Sequence, residues 1–334
     1  MKAAVITKYK QEYPVITDVQ TPIIQPNDVL VRIIAASINP IDLKTKDGGL
    51  KVLLKYQLPL TLGSDFAGII TAVGPSVTNF QIGDAVYGRA PKNRIGTFAE
   101  YIAIDATAIA FKPHNLTFEE AAAVPLVGLT SYQALHDIMQ VQPGQKVLIQ
   151  GGSGGIGTIA IQIAKHLGAT VATTTSAKHF ELVKSLGADI VIDYHQQNFA
   201  DVLSDYDFVF DTRGGKTLED AFKIIKPGGQ VVSISGLPNA RFSKAYGVPH
   251  WQQHLFGLLT HRLSKLEKQT KATYTFLFMQ PSGAQLDILR HLIEHKSLKP
   301  IIDRVVPFKD INSALQYSYS GRATGKIILR IAEE

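Results

Sequence analysis

The residues with the clearest chemical meaning are seven in a row, GGSGGIG at 151–157. Gly152, Gly154 and Gly157 fit G-x-G-x-x-G, directly after the apolar run KVLIQ at 146–150 and directly before a helical pattern. Glycines let the backbone turn tightly and approach a pyrophosphate. The free N–H groups where the helix starts, here offered by Ser153, Gly155, Ile156 and Gly157, then hold the anion together with the helix dipole. The same residues admit a second chemistry. Gly151-x-Ser153-x-Gly155 fits a hydrolase nucleophile elbow, and His250, His254 and His291 lie downstream. An elbow does not need Gly157, and a long β-rich stretch precedes the strand where a hydrolase would place its first strands and oxyanion loop. The dinucleotide reading is therefore preferred.

The second strand decides which dinucleotide. An acid about 20 residues past the loop binds the ribose hydroxyls of NAD. The segment 170–179, TVATTTSAKH, has no Asp or Glu. It offers Thr174, Thr175, Ser176, Lys178 and His179 instead. Hydroxyls and a cation suit a 2′-phosphate, and a missing carboxylate removes a repulsion. NADP(H) is the expected cofactor.

The elements that position these groups follow from periodicity. Ile156, Ile159, Ala160, Ile163, Ala164 and Leu167 recur on one helical face, and Gly168 sits where a C-cap belongs. Short apolar runs at 170–174, 190–193, 207–211 and 230–235 alternate with helical patterns, as in a doubly wound parallel sheet. Before Thr117, β-branched runs at 29–36, 66–73, 85–87 and 98–104 are punctuated by turns, which predicts an irregular, mostly β domain. β character returns at 301–308 and 326–331, so a last strand could rejoin the first domain. Between them, residues 236–273 depart from the alternation and hold a basic amphipathic helical insertion near 246–271.

Composition narrows the classes. The chain has 334 residues, enough for about two domains. Hydrophobic residues are 45% and charged residues 19%, which excludes a disordered chain. No apolar run reaches the roughly 18–20 residues that span a bilayer, so no stable membrane association is expected. The first residues, MKAAVITKYK, read as a strand rather than a signal peptide, and a cytoplasmic protein is expected. There is no cysteine, which removes thiolate zinc sites, iron–sulfur clusters, disulfides and thiol nucleophiles. The net charge of +6 suits an anionic ligand but is too weak to predict nucleic-acid binding.

Several stretches together resemble the medium-chain dehydrogenase/reductase superfamily, specifically its zinc-free quinone oxidoreductase branch with the NADPH-dependent enone and alkenal reductases. They are AASINPIDLK at 35–44, LGSDFAGIITAVG at 62–74, IGDAVYG at 82–88, AAAVPLVGLTSYQAL at 121–135, VLIQGGSGGIG, LVKSLGAD at 182–189, VIDY at 191–194 and ATGKIIL at 323–329. The resemblance implies a GroES-like β-rich catalytic domain from both chain ends, 1–122 with 277–334. A Rossmann domain would occupy 123–276. It also implies a homodimer. Zinc-dependent members bind their catalytic metal at positions that match Asn39, Ser64 with Asp65, and Leu126, residues that do not make such a site. Ser176 and Tyr194 match the residues with which members hold a 2′-phosphate. The lysine position falls on His179, with Lys178 beside it. Thr130 and Lys326, within the matching stretches, join the expected cofactor residues.

Without metal, nucleophile or flavin, the chemistry expected is hydride transfer from the cofactor. A quinone or enone that accepts hydride becomes a phenolate or enolate, and a donor aimed at that oxygen lowers the barrier. Asn39, which the resemblance implies lies under the nicotinamide, and Lys44 are the candidate catalytic residues. Tyr56, Tyr87 and Tyr132 are weaker candidates and fit packing roles better. The other reading is an NADP(H)-binding structural, regulatory or RNA-associated protein without turnover.

Overall fold

The computed structural model describes residues 1–51, 53–247 and 249–333. The chain divides into two compact units, Met1–Leu129 with Gln280–Glu334, and Thr130–Met279. The expected division after residues 122 and 276 falls slightly ahead of this one. The helix Pro125–Tyr132 itself straddles the first division.

The first unit is built around the strand Asp28–Ile38, whose run VLVRIIAASI buries most of both faces. Asp65–Val73 pairs along one edge of it. Its other edge is shared: Tyr101–Asp105 takes the first half and Lys326–Arg330 the second, both antiparallel. The pairing with Asp65–Val73 shifts register at Leu30/Val31 and Ile33/Ala35. Ile302–Pro307 extends this sheet beyond Lys326–Arg330, while Ala85–Arg89 and Ile109–Phe111 extend it beyond Asp65–Val73. A smaller sheet joins Val15–Asp18, Lys2–Ile6 and Leu60–Thr61. The run 98–104, expected as one strand, is divided between the two sheets. Phe98 bonds to Ala4 and Leu62 and Glu100 N–H donates to Lys2, while the Glu100 carbonyl, which accepts from Ile33 N–H at 2.8 Å, and then Tyr101–Asp105 join the long strand. Val31, Ile33, Phe66, Val86, Phe98 and Leu329 meet in the core between these sheets.

The second unit is α/β. Among its described residues, six strands, all parallel, lie in the order Ile190–Asp193, Thr170–Thr175, Lys146–Ile149, Tyr206–Asp211, Ile225–Ser233, Thr273–Phe276. That is the dinucleotide-fold order 3-2-1-4-5-6. The helix Gly155–His166 follows the first strand, and Gly168, at φ 82°, ends it as the sequence predicts. The insertion begins earlier than expected, and its described residues form three helices, Ala240–Ala245, His250–Leu259 and His261–Thr270.

Candidate functional site

In an open parallel sheet, ligands bind beyond the carboxyl ends of the strands, where the strand order reverses. Here that point lies between Lys146–Ile149 and Tyr206–Asp211, and the glycine loop leaves the sheet there. Gly151 turns the chain at φ 69°, a left-handed conformation that favours glycine. Gly152 N–H then donates to the Thr174 carbonyl at 2.9 Å. A β-carbon on Gly152 would lie 2.2 Å from Thr173 Oγ1, and one on Gly157 would lie 2.2 Å from the Gly151 carbonyl oxygen. These two glycines are needed by the protein's own packing. Gly154, which caps the helix, differs: its nearest neighbour would be 3.4 Å away. The space over Gly154 and the unbonded N–H groups of the first helical turn form a cradle that fits a pyrophosphate.

The rim of this loop comes from the ends of the next two strands. Thr174 is buried, and its hydroxyl oxygen accepts from Gly151 N–H at 3.1 Å, so it shapes the loop. Ser176 precedes the short turn Ala177–His179, and Lys178 on that turn is exposed. Burial, then the adjacent Lys178 ammonium, hold the His179 imidazole below its ordinary range, so it is neutral at pH 7. The standing cation of the pair is therefore Lys178. Tyr194, 59% exposed, leans on the ring of His195 at 4.3 Å between centroids, and its N–H donates to the Thr175 carbonyl.

The elbow reading of Ser153 finds no support here. A nucleophile elbow strains the backbone of its serine, whereas Ser153 is absent from the left-handed residues and its hydroxyl accepts from Thr175 Oγ1 at 2.9 Å.

In the first unit, the matched motif residues converge on one buried polar network. Asn39 is 1% exposed and Lys326 4%. The Lys326 ammonium donates to Asn39 Oδ1, and the Asn39 amide nitrogen donates to Asp65 Oδ2 at 3.0 Å and to the Ser37 carbonyl at 3.3 Å. Asp65 also accepts from the Ser37 hydroxyl at 2.9 Å and, through its other oxygen, from Leu126 N–H at 2.9 Å. Asp42, in the first turn of the helix Pro40–Lys46, accepts from Asn39 N–H at 2.8 Å and from the Ser64 hydroxyl at 2.7 Å. Burial pushes the Asp42 carboxyl up to about 6 and raises Asp65 as well, against the pull of Lys326.

Both ends of the Asn39 amide are thus engaged inside the unit. The sequence expectation of direct contact with cofactor or acceptor is not how this side chain is directed. The network also answers the metal question. At Asn39, Ser64, Asp65 and Leu126 the oxygens already bond to Lys326, Ser37, Asn39, Asp42 and Leu126 itself, and no thiolate is available. This donor set does not fit a catalytic zinc ion. Among the described residues, no group of three His, Cys, Asp or Glu is placed to hold a metal.

Lys326, expected among the cofactor residues, lies in this network. Lys44 is exposed on the helix Pro40–Lys46. Thr130 is buried within its helix. Tyr87 is wholly buried and donates to the Leu286 carbonyl at 2.6 Å, a packing role. Tyr132 stacks on His136. Lys92 escaped the sequence reading, since PKNR looks like a solvated turn. It is buried, and burial followed by the neighbouring Arg89 guanidinium pushes its ammonium down to about 7.

Comparison with known proteins agrees with this architecture. The profile described as zinc-binding dehydrogenase matches residues 186–329, and that of the alcohol dehydrogenase GroES-like domain matches residues 25–114. The chain is 36% identical to a 2-methylene-furan-3-one reductase of Solanum lycopersicum, over 94% of this chain and 74% of that protein. It is 32% identical to an NADPH-dependent alkenal/one oxidoreductase of Arabidopsis thaliana, described as chloroplastic, with the same coverage of 94% and 74%. The structure of a quinone oxidoreductase from Coxiella burnetii superposes with a TM-score of 0.86 at 32% identity, over 99% of both chains. No described helix is long and apolar enough to cross a membrane. With a GroES-like unit, a dinucleotide-fold unit and these relatives, the chain belongs to the medium-chain dehydrogenase/reductase superfamily, in its quinone oxidoreductase-like branch.

Proposed function

We propose that this protein transfers hydride from NADPH to a quinone, or to the C=C bond of an α,β-unsaturated carbonyl, without zinc. The observation that carries the reading is the glycine cradle at the strand-order reversal, bordered by a second strand that ends in hydroxyls and Lys178 rather than an acid. The cofactor supplies the hydride. The N–H groups of Ser153, Gly155, Ile156 and Gly157 bind the pyrophosphate, and Ser176, Lys178 and Tyr194 bind the 2′-phosphate, with neutral His179 as a neighbour.

The acceptor gains negative charge on oxygen as the hydride arrives. A cation close to that oxygen stabilises it, and Lys44 is the residue assigned to this task. Asn39 acts behind it, holding the start of the helix that carries Lys44. Proton delivery from solvent then completes the hydroquinone or the saturated carbonyl. The acceptor is a small molecule. A cytoplasmic location and a homodimer, without nucleic acid, belong to the same proposal; a monomer mass by light scattering would remove the dimer.

The test is an NADPH-oxidation screen across quinones, alkenals and enones. Turnover with members of either acceptor class supports the reading. Tight NADPH binding with no consumption across the panel would favour a binding protein.

A further inference from the structure

We infer that the Lys326 ammonium is the internal cation that positions Asn39, and through it the Pro40–Lys46 helix, by tying together four separate segments of the first unit. Those segments are the end of the strand Asp28–Ile38, the start of Asp65–Val73, the start of Lys326–Arg330 and the first turn of Pro125–Tyr132. This goes beyond the proposed function and rests on it only for the activity readout.

The geometry is that of a cation held among oxygens. Asn39 Oδ1 accepts directly, the Ile38 carbonyl lies 3.4 Å from Nζ, and Asp65 Oδ2 lies 3.7 Å from it. The charged groups facing one another here are Lys326, Asp65, Asp42 and Arg89, two cations and two carboxylates. Burying any of them alone is costly, and together they offset part of that cost. An amide has no preference of its own between its two ends. Lys326 supplies the donor that fixes Asn39 with oxygen toward the ammonium and nitrogen toward Asp65. The helix Pro40–Lys46 starts at Asn39. That helix start is held by Asp42, which accepts from the Asn39 N–H and from Ser64. Asn39 is therefore the hinge between the buried charge and the helix bearing Lys44, and Lys326 is a positioning residue rather than a cofactor contact.

Chemical rescue separates positioning from mere filling of space. In Lys326→Ala, kcat should fall at least tenfold while KM for NADPH stays within about twofold, because the phosphate-binding loop belongs to the other unit. Ethylammonium should restore both kcat and thermal stability in a saturable way, and tetramethylammonium at equal ionic strength should not. Wild-type kcat in Lys326→Ala would overturn the inference, as would a folded variant that ethylammonium leaves unchanged. If Lys326→Ala does not fold, the charge-balanced Lys326→Met/Asp65→Asn pair takes its place. It should fold and still lose kcat, and wild-type kcat in that pair would overturn the inference. If the unaltered protein turns over no acceptor, the proposed function fails by itself, and rescue of thermal stability by ethylammonium still decides the role of Lys326.

Discussion

Lys326 donates to the side-chain oxygen of Asn39 across 287 positions of chain. The bond joins the first residue of the last strand to the residue that begins the Pro40–Lys46 helix. It also places a buried ammonium beside a buried Asp65 and near Asp42, so the polar centre of the first unit is an ionic cluster closed by the two ends of the chain.

That cluster gives stability a particular pH dependence. Asp42 titrates near 6 in the folded protein and near the ordinary 3.9 when unfolded. Between those values the folded state binds a proton that the unfolded state does not, so this group's contribution falls as pH rises from about 4 to 6. Above 6 both states are ionised and the full burial penalty remains, on the order of 3 kcal/mol for a shift of this size. Asp42→Asn keeps an acceptor and removes the titration. Its Tm should gain on the wild type as pH rises from 4 to 7, whereas parallel curves would contradict the assignment.

The 2′-phosphate contact is assigned to Lys178. Lys178→Ala should raise KM for NADPH by roughly ten- to a hundredfold, the loss of one charge-assisted bond of about 1.5–3 kcal/mol, and leave KM for NADH nearly unchanged. His179→Ala should have a smaller effect at pH 7.5, because His179 is neutral there. Equal losses with both cofactors would remove the assignment.

Gly157 has no room for a side chain. Gly157→Ala sets a β-carbon 2.2 Å from the Gly151 carbonyl oxygen and 2.6 Å from the Gly152 α-carbon, both backbone atoms that must shift. NADPH binding measured by fluorescence titration should be lost or weakened more than tenfold. The far-UV spectrum should be retained, since the distortion is confined to the loop. Unchanged affinity would show that the loop does not hold the cofactor.

Lys44→Met keeps much of the side-chain stem and removes the charge. It should lower kcat with enones by about a hundred- to a thousandfold, corresponding to the 2.7–4 kcal/mol typical of one donor to a developing oxyanion. Quinones are stronger acceptors and should lose less. NADPH affinity should not change. Wild-type turnover of enones by this variant would leave Lys44 as a solvated lysine.

The second unit was the more legible part of the sequence. Its parallel order follows from short apolar runs alternating with one-faced helices, and its loop from glycines whose spacing is local and sterically enforced at Gly152 and Gly157. The first unit was less so. The run 98–104 looks like one strand because its residues are uniformly β-formers, yet its hydrogen bonds divide between two sheets. Asn39 could be picked out by motif, but its inward direction depends on Lys326, and no local pattern announces a partner 287 positions away. The lysine in ATGKIIL is expected among the cofactor residues. Only the tertiary pairing of Lys326–Arg330 with Asp28–Ile38 shows it buried.

The most direct test of hydride transfer to the acceptor uses NADPH deuterated at the reactive C4 position and a simple enone, with the product read by NMR. The account predicts one deuterium at the β-carbon of the saturated ketone, with product formed in step with NADPH consumed, in protein that keeps its activity after treatment with a chelator. Deuterium on the carbinol carbon of an allylic alcohol, or activity that a chelator abolishes and zinc restores, would contradict it.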